Sequence, residues 1–445
     1  MKQSVSAIFI CEDQVLIMKR QNYLRAFPGY SSFPGGKVDE EDVLNGGDDY
    51  LLFALKREIQ EELHINIDEL LKSGHILDVK QYALAVTPDF NPHRFENYYF
   101  KVFIKDKSAL EEINFHFDEG EIAKATWMNC HEAFTEYKKG HLLVVPPMIT
   151  ILKDLDRDIN SLDFLDANLK YDGDLQVPMI EPLFGLRQYM PLSHTFPPAN
   201  RTNCFVIGDD NGKKIVIDPS PKNEEELEKL IYGLKEHDLS EIFLTHHHPD
   251  HHEFSRELAK ILKLPFSMSE GTYEHLLGDF GQDYFDGHEV KFYEDGDIVT
   301  TSCGHEVKLV TTGGHAFGQS SLLRADGAWM IVSDLIQTIG TVTISGRGSD
   351  MREYFHSLTN VINLDPQVVM PSHGICLGGT NKIKQTLDHR IERENQIRAC
   401  LEEGKSREEI FQSIYPDLPD RLHKYAYATI DSHLNKLEEF GPGLC

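Results

Sequence analysis

Histidine and aspartate residues crowd a short segment near the middle of the chain. The run Thr245-His246-His247-His248-Pro249-Asp250-His251-His252 follows the apolar residues 242–244, so these side chains lie in a loop at the end of a predicted strand. Imidazole and carboxylate groups are ligands for zinc, and also for manganese or iron(II). The spacing H-x-H-x-D-H lets one loop offer ligands to two ions, whereas a chance surface or core histidine explains one residue and not this pattern.

Three later residues repeat the same placement, with a metal-binding side chain at the end of an apolar strand. His315 lies in a glycine-flanked turn, Asp334 follows residues 329–333, and His373 follows residues 368–370. Taken singly, each is most simply a structural residue. Because the pattern recurs at several strand ends of an α/β segment, we expect these residues to meet the loop at one edge of the sheet.

The motif series T-H-x-H-x-D-H, G-H-x-x-G-x-S, a strand-end Asp and P-x-H-G resembles the metallo-β-lactamase fold superfamily. The resemblance implies an αββα sandwich with two Zn²⁺ (or Mn²⁺/Fe²⁺) ions that activate water to attack an ester, thioester or phosphodiester. Asp250 would also take part in proton transfer, Asp218 would orient a ligand, and His247 and His252 would not be ligands. The implied ligands are His246, His248 and His315 for one ion, Asp250, His251 and His373 for the other, and Asp334 between them.

A second group of carboxylates lies on a helix predicted at residues 49–63. Glu58, Glu61 and Glu62 share one helix face because they stand at i, i+3 and i+4. Like charges there destabilise a bare helix, but a hard cation such as Mg²⁺ (or Mn²⁺) binds clustered carboxylates. A solvated acidic face is the simpler interpretation, yet it does not explain the preceding Gly35-Gly36, where a backbone carbonyl can approach the same ion.

This second pattern resembles the Nudix box, R-E-u-x-E-E-x-G-u preceded by G-G, and residues 25–36 resemble the coenzyme A diphosphatase-like subgroup. The resemblance implies an α/β/α sandwich that cleaves nucleoside-diphosphate-linked substrates, with Glu58 and Glu61 catalytic. Two departures stand out: His64 replaces the usual Gly, and an insertion at 37–50 alters the spacing to the usual glutamate. The implied Mg²⁺ ligands are Gly36, Glu58, Glu61 and Glu62. Nearby acidic residues and candidate later bases are Glu40, Glu41, Asp42, Glu119 and Glu121.

The 445 residues therefore divide into an α/β multidomain chain. We predict a Nudix-like domain at 1–158, a linker at 159–180, a metallo-β-lactamase domain at 181–380 and a helical domain at 381–445. The last part resembles the winged-helix-like domain of the beta-lactamase-like protein 2 endoribonucleases, which implies a role in substrate binding; the alternative is an amphipathic helical cap. Its basic residues are Arg390, Arg393, Arg398, Lys405, Arg407, Arg421 and Lys424.

Composition limits the remaining choices. A net charge of −28 disfavours polyanions over most of the surface, so single-stranded RNA would need a local basic groove or bound cations. Seven cysteines without a C-x-x-C pair, and no apolar run long enough to span a bilayer, predict a cytoplasmic protein away from membranes. We expect a bifunctional hydrolase acting on nucleotide or coenzyme A-type small molecules. The alternatives are a glyoxalase II-like thioesterase whose Nudix domain is a non-catalytic sensor, or a scaffold, and the oligomeric state stays open.

Overall fold

The computed structural model describes residues 1–91, 93–107 and 120–440. The chain forms two compact units. The first comprises Met1–Asp172 with Ile180–Phe184, and the second comprises Gly173–Met179 with the chain from Gly185 onward. Among the described residues, no helix is long and apolar enough to cross a membrane.

The first unit is built on one mixed sheet. Its strands are β1 (Lys2–Cys11), β2 (Gln14–Arg20), β3 (Ser31–Ser32), β4 (Gly35–Lys37), β5 (Ile76–Val86), β6 (Phe95–Ile104), β7 (Ile122–Asn129) and β8 (Leu165–Asp166). Its helices in the described ranges are α1 (Glu40–Gly46), α2 (Tyr50–Leu63), α3 (Ile67–Lys72), α4 (Cys130–Lys138) and α5 (Pro146–Arg157). The strand order is β3-β2-β1-β6-β5-β8, with β4 paired to β1 and β7 paired to β2.

Strand β1 shows why helices cover both faces of this sheet. Successive side chains of a strand point to opposite faces. Val5 and Phe9 pack in a cluster with residues of α2 and α3, whereas Ile8 and Ile10 pack in another cluster with residues of α4 and α5. The outcome is an α/β/α sandwich, as expected for this part of the chain.

Helix α2 presents the predicted carboxylates at the side of the sheet. It begins at Tyr50, after a 3₁₀ turn at Gly47–Asp49, and it ends where His64 adopts a left-handed conformation with φ 58°. The insertion at 37–50 folds as α1 and that turn. The apolar face of α2 consists of Ala54, Leu55, Ile59 and Leu63, and the burial of this face fixes the rotation of the helix.

The second unit contains two sheets and most of the helices. Strand β9 (Met179–Leu183) crosses the sequence limits of the two units. The strands that follow are β10 (Leu186–Tyr189), β11 (Cys204–Ile207), β12 (Lys214–Ile217), β13 (Leu239–Phe243), β14 (Phe266–Met268), β15 (Val290–Phe292), β16 (Ile298–Ser302), β17 (His305–Thr311), β18 (Ser320–Arg324), β19 (Met330–Ser333), β20 (Val368–Pro371) and β21 (Leu377–Gly378). The helices are α6 (Glu224–Leu234), α7 (Pro249–His252), α8 (Ser255–Leu262), α9 (Glu270–Phe280), α10 (Met351–Leu364), α11 (Asn381–Glu402), α12 (Arg407–Ile414) and α13 (Asp420–Phe440).

The two sheets are covered on both faces. One has the order β15-β14-β13-β12-β11-β10 and the other the order β16-β17-β18-β19-β20-β21. Val206 and Ile242 pack with residues of α6, α8 and α9, and Val332 packs with residues of α10 and α11. Phe243 and Leu309 point to the opposite faces of these strands and are also buried. Helices therefore cover one face of each sheet, as expected for sheets that pack face to face in an αββα sandwich.

The C-terminal helices begin where the predicted helical region begins. Helix α11 starts at Asn381. Ile383 packs in the cluster of α10 and the second sheet, and this burial supports the first turns. The later part of α11 packs with α12 and α13 through Ile397, Ile410, Phe411 and Ile430.

Part of the predicted linker belongs to the first unit. Strand β8, within residues 159–180, pairs in parallel with β5. The ammonium group of Lys101, buried in this unit, donates hydrogen bonds to the carbonyls of Ile159 and Ser161 at 2.9 and 2.6 Å. The division of the chain into domains at 1–158, 181–380 and 381–445 stays a prediction.

Candidate functional site

The histidine-rich loop is fixed where it leaves β13. The Thr245 N–H donates to Asp218 Oδ1 at 2.8 Å, and the Thr245 hydroxyl donates to Asp218 Oδ2 at 2.6 Å. Asp218 follows β12, which runs parallel to β13, and it adopts a left-handed conformation with φ 49°. Two neighbouring strand ends are thus joined through one buried carboxylate, and the loop starts from a fixed position.

A short helix then reverses the direction of the loop. His248 is the N-cap of α7, and Pro249 occupies its first turn, where a missing N–H has no helical partner to lose. This turn returns Asp250 and His251 toward the strand end. Four of the predicted ligands are consequently supplied by one strand end and one turn of helix.

Three imidazoles meet on one side of this loop. His246 Nε2 lies 3.0 Å from His248 Nδ1, and His315 Nε2 lies 2.9 Å from the same nitrogen. His315 comes from the turn between β17 and β18, close to seventy positions along the chain from the loop. The three nitrogens lie within 4.8 Å of one another, close enough to bind one metal ion.

A second group lies on the other side, and one carboxylate stands between the two. Asp250 is 3.8 Å from His251 Nε2 and 3.4 Å from His373 Nε2. Asp334 Oδ2 is 3.6 Å from both His251 Nε2 and His315 Nε2, and its Oδ1 is 3.4 Å from His373 Nε2. Asp334 therefore contacts members of both groups.

The other ring nitrogens of these histidines are held by the protein. Each hydrogen bond fixes which nitrogen faces the cluster, because a neutral imidazole carries one proton. The pairs are His251 Nδ1 with Asp218 Oδ2 at 2.8 Å, His315 Nδ1 with the Thr343 carbonyl at 3.0 Å, and His373 Nδ1 with the Arg201 carbonyl at 3.0 Å.

Two atoms at the centre lack a hydrogen bond within the described part of the chain. They are His251 Nε2 and Asp334 Oδ1, and both are buried. A buried polar atom without a partner requires a specific explanation, such as an ion or a water molecule. A set of five imidazoles and two carboxylates around such atoms fits a pair of divalent cations.

In the first unit, the predicted carboxylates line a cavity of about 720 Å³. A Cβ atom added to Gly36 would lie 2.1 Å from Glu58 Oε2, so a side chain at this position would displace the carboxylate. Glu62 Oε2 accepts a hydrogen bond from the Gly35 N–H at 2.8 Å. Glu61 is largely exposed and contacts Arg57 Nη1 at 3.0 Å. The structure thus brings all four predicted residues to one cavity.

Arg57 is held by an aspartate that sequence reasoning did not assign. Its Nε donates to Asp42 Oδ1 at 2.8 Å and its Nη2 donates to Asp42 Oδ2 at 2.7 Å. Asp42 is completely buried and also accepts from the Asp39 N–H, closing a capping box at the start of α1. The signal was present as the capping pattern Asp39-x-x-Asp42. Glu40 and Glu41 are exposed, and Glu119 lies outside the described residues.

Three family models match successive parts of the chain. Residues 1–146 match the NUDIX domain, 197–373 the metallo-beta-lactamase superfamily, and 406–441 the beta-lactamase associated winged helix domain. Over 193 residues, the chain is 30% identical to the probable polyketide biosynthesis zinc-dependent hydrolase BaeB of Bacillus velezensis; the match covers 42% of this chain and 80% of that protein. The chain belongs to the metallo-beta-lactamase superfamily. Both large domains are of hydrolase families, so the chain is a fusion of two metal-dependent hydrolase domains.

Two further relatives agree with this membership. The chain is 24% identical over 260 residues to the beta-lactamase-like protein 2 homolog of Drosophila melanogaster, a match that covers 54% of this chain and 83% of the relative. A beta-lactamase domain protein from Burkholderia ambifaria superposes with a TM-score of 0.50 at 18% identity, covering 60% of this chain and 89% of the other. The latter likeness concerns the fold alone. The predicted combination of the three domain types is confirmed.

Electrostatics divides the metallo-beta-lactamase site into two halves. Burial lowers the pKa of His248 to about 2 and holds the pKa of His246 and of His315 below the ordinary value. Burial also opposes a charge on His251, but Asp334, Asp250 and Asp218 raise its pKa well above the ordinary value. His246, His248 and His315 are therefore neutral imidazoles. The carboxylates lie beside His251 and favour positive charge there.

In the NUDIX domain the three glutamates differ in burial. Burial raises the pKa of Glu62 to about 7, although the Gly35 N–H and Arg20 act against it. Burial also raises the pKa of Glu58, opposed by Arg57. By contrast, the hydrogen bonds from Arg57 hold the pKa of Asp42 below its ordinary value. The cavity thus contains carboxylates that bind a proton or a cation readily.

The two extra histidines of the loop have separate environments. The His252 ring contacts the Tyr284 hydroxyl at 2.7 Å and the His247 carbonyl at 3.1 Å, away from the metallo-beta-lactamase cluster. His247 lies beside His275, with ring centroids 4.7 Å apart. Neither residue joins the seven predicted ligands. Sequence reasoning missed His275, because a lone histidine on an amphipathic helix gives no signal before the fold places it.

Proposed function

We propose that the chain hydrolyses two different bonds at two independent metal sites. In the second unit, the proposal rests on the convergence of five imidazoles and two carboxylates around buried atoms that have no hydrogen bond to any described residue. The proposed ligands are His246, His248 and His315 for one Zn²⁺ (or Mn²⁺/Fe²⁺) ion, Asp250, His251 and His373 for the other, and Asp334 for both.

Such a pair of cations, when bound, would supply an activated water near neutral pH and stabilise charge on the substrate oxygens. The protein contributes position and proton transfer. Asp218, Thr343 and Arg201 hold the imidazoles in one orientation through their second nitrogens. Asp250 is half-buried beside the cluster, and we assign to it the proton that the attacking water releases.

The NUDIX cavity is proposed to cleave nucleoside-diphosphate-linked substrates with Mg²⁺ (or Mn²⁺). Gly36, Glu58, Glu61 and Glu62 are the proposed ligands, since a hard cation prefers clustered carboxylate and carbonyl oxygens. Glu58 and Glu61 would also act on the attacking water. Arg57, held by Asp42, keeps Glu58 and Glu61 in place through contacts of 3.1 and 3.0 Å.

For the metallo-beta-lactamase site we propose a thioester of coenzyme A type as the substrate, because most basic residues of the C-terminal helices are already engaged within the protein. Arg390 is buried, Arg393 lies on the Tyr415 ring, and Arg407 pairs with Asp431. Arg398 and Lys405 pair with Glu402 and Glu403. A strong basic groove for a polyanion is therefore not provided by these residues.

Phosphodiester cleavage in single-stranded RNA is the second candidate. The match of residues 406–441 to the beta-lactamase associated winged helix domain favours it. In that case substrate binding would depend on cations or on Arg421 and Lys424, whose side chains are exposed.

Two variants separate the sites, and each is the control for the other. Purified full chain would be loaded with Zn²⁺ and Mg²⁺ and given acyl-coenzyme A, S-lactoylglutathione, single-stranded RNA and coenzyme A. We expect His248→Ala to abolish thioester hydrolysis and spare diphosphate cleavage, and the Glu61→Gln/Glu62→Gln double variant to do the reverse. RNA cleavage without thioester turnover would overturn the thioester proposal. Diphosphate cleavage that is absent from the wild type, or that survives the double substitution, would overturn the proposed NUDIX activity.

A further inference from the structure

A third group of metal-binding side chains lies beside the metallo-beta-lactamase site. His275 and Asp279 occupy positions i and i+4 of α9, so they share one face of that helix. His247, which stands between two proposed ligands in sequence, turns its ring to this face. The three side chains place ligand atoms within 4.8 Å of one another.

The two imidazoles of this group lack ordinary partners. His247 is 4% exposed, and the Nδ1 atoms of His247 and His275 are both buried without a hydrogen bond among the described residues. The contact that His247 Nε2 makes to a charged group is a long one, 3.8 Å to Asp279 Oδ2. Buried polar atoms in native proteins nearly always have a partner, so these nitrogens indicate a partner other than the described side chains.

We propose that His247, His275 and Asp279 form a third site for a divalent transition-metal ion, separate from the two-ion cluster. Two imidazoles and a carboxylate are borderline ligands that suit Zn²⁺ and its neighbours. At metal–ligand distances of about 2.1 Å, tetrahedral ligands lie about 3.4 Å apart. The ligand atoms lie within 4.8 Å of one another, so side-chain rotations would bring them to this distance, and a water would complete the fourth position.

Within the described part of the chain, Arg347 is the positively charged side chain that pairs with this group. Its Nη1 lies 3.4 Å from Asp279 Oδ1, and its side chain is 68% exposed. The contact leaves Oδ2 directed to His247, and the exposed guanidinium can move into solvent. Because His247 is covalently between His246 and His248, an ion at this third site would also restrain the loop that supplies the main cluster.

The test is the zinc content of the full chain. Apo protein would be saturated with Zn²⁺, freed of unbound ion by gel filtration and analysed by mass spectrometry. We expect His275→Asn and Asp279→Asn each to lose one equivalent relative to the wild type. His288→Asn is the matched control, because His288 is half-buried and lies outside the clusters found in the described ranges. The exposed Asp279 keeps the test valid if the His275 variant folds poorly.

A spectroscopic readout identifies the ligand directly. In the Co²⁺-loaded Asp279→Cys variant, sulfur bound to cobalt should give a near-ultraviolet charge-transfer absorption that the wild type lacks. Unchanged zinc content in both Asn variants, together with no such absorption, would overturn the proposal and assign water as the partner of the buried nitrogens. Because neither readout uses substrate, failure here is distinct from failure of the proposed hydrolysis.

Discussion

The Asp42–Arg57 pair allows a quantitative test of how the NUDIX helix is held. Two parallel hydrogen bonds join the residues, Asp42 is fully buried, and Arg57 is 24% exposed. In Asp42→Asn the amide N–H₂ would face an arginine donor, so one charged bond and the charge balance are lost. Breaking a buried pair costs about 3–5 kcal/mol. Because water reaches part of Arg57, we expect about 2–3 kcal/mol.

The measurement is native-state hydrogen exchange of peptides from α2. At 1.4 kcal/mol per tenfold, the expected loss corresponds to exchange about 30- to 150-fold faster. Peptides from β12, in the other unit, are the internal control. Asp39→Asn is the matched variant: Asp39 lies 3.7 Å from Arg57 and is 67% exposed, and Asn also caps helices well, so about 0.5 kcal/mol or less is expected.

The pH dependence has a defined sign. Arg57 lowers the pKa of Asp42 in the folded chain, so the stabilisation is present above the unfolded value of 3.8 and is lost as the pH falls through the folded value. The difference between wild type and Asp42→Asn should therefore be constant near neutral pH and shrink only below pH 3.8. Equal effects of the Asp42 and Asp39 substitutions would refute the reasoning.

Three further predictions test single contacts. Asp218→Asn replaces the carboxylate that accepts from His251 Nδ1 by a neutral amide with one acceptor oxygen instead of two, and should lower zinc affinity about 10- to 100-fold in a chelator competition. Asp210→Asn, at an exposed site, should not, and equal affinities would contradict the orienting role. Because the pKa of Glu62 is about 7, protons should compete with Mg²⁺, and calorimetry should find affinity falling up to tenfold per pH unit below 7; the same affinity at pH 6 and 8 would count against this. His64→Gly should raise the unfolding free energy of the NUDIX domain by about 0.5–1 kcal/mol, because glycine removes left-handed strain at φ 58° but costs unfolded-state entropy; a lower melting temperature would exclude it.

The sequence was most informative where ligands stand close together or end a strand. The loop at His246–His251 and the Glu58–Glu62 turn have spacings that one local element fixes, so their side chains could be grouped without the fold. His275 and Asp279 could not, because only the packing of α9 brings them to His247.

The hydrogen bonds behind the proposed ligands explain why the motif alone cannot define the site. His315 and His373 each donate Nδ1–H to a backbone carbonyl, so any residue type at 343 or 201 would serve, and sequence carries no signal for it. His251 instead uses the carboxylate of Asp218, which also accepts twice from Thr245. That single aspartate couples the orientation of a ligand to the start of the loop. Asp218, which the sequence could identify, is therefore the residue that fixes both the start of the loop and the orientation of His251.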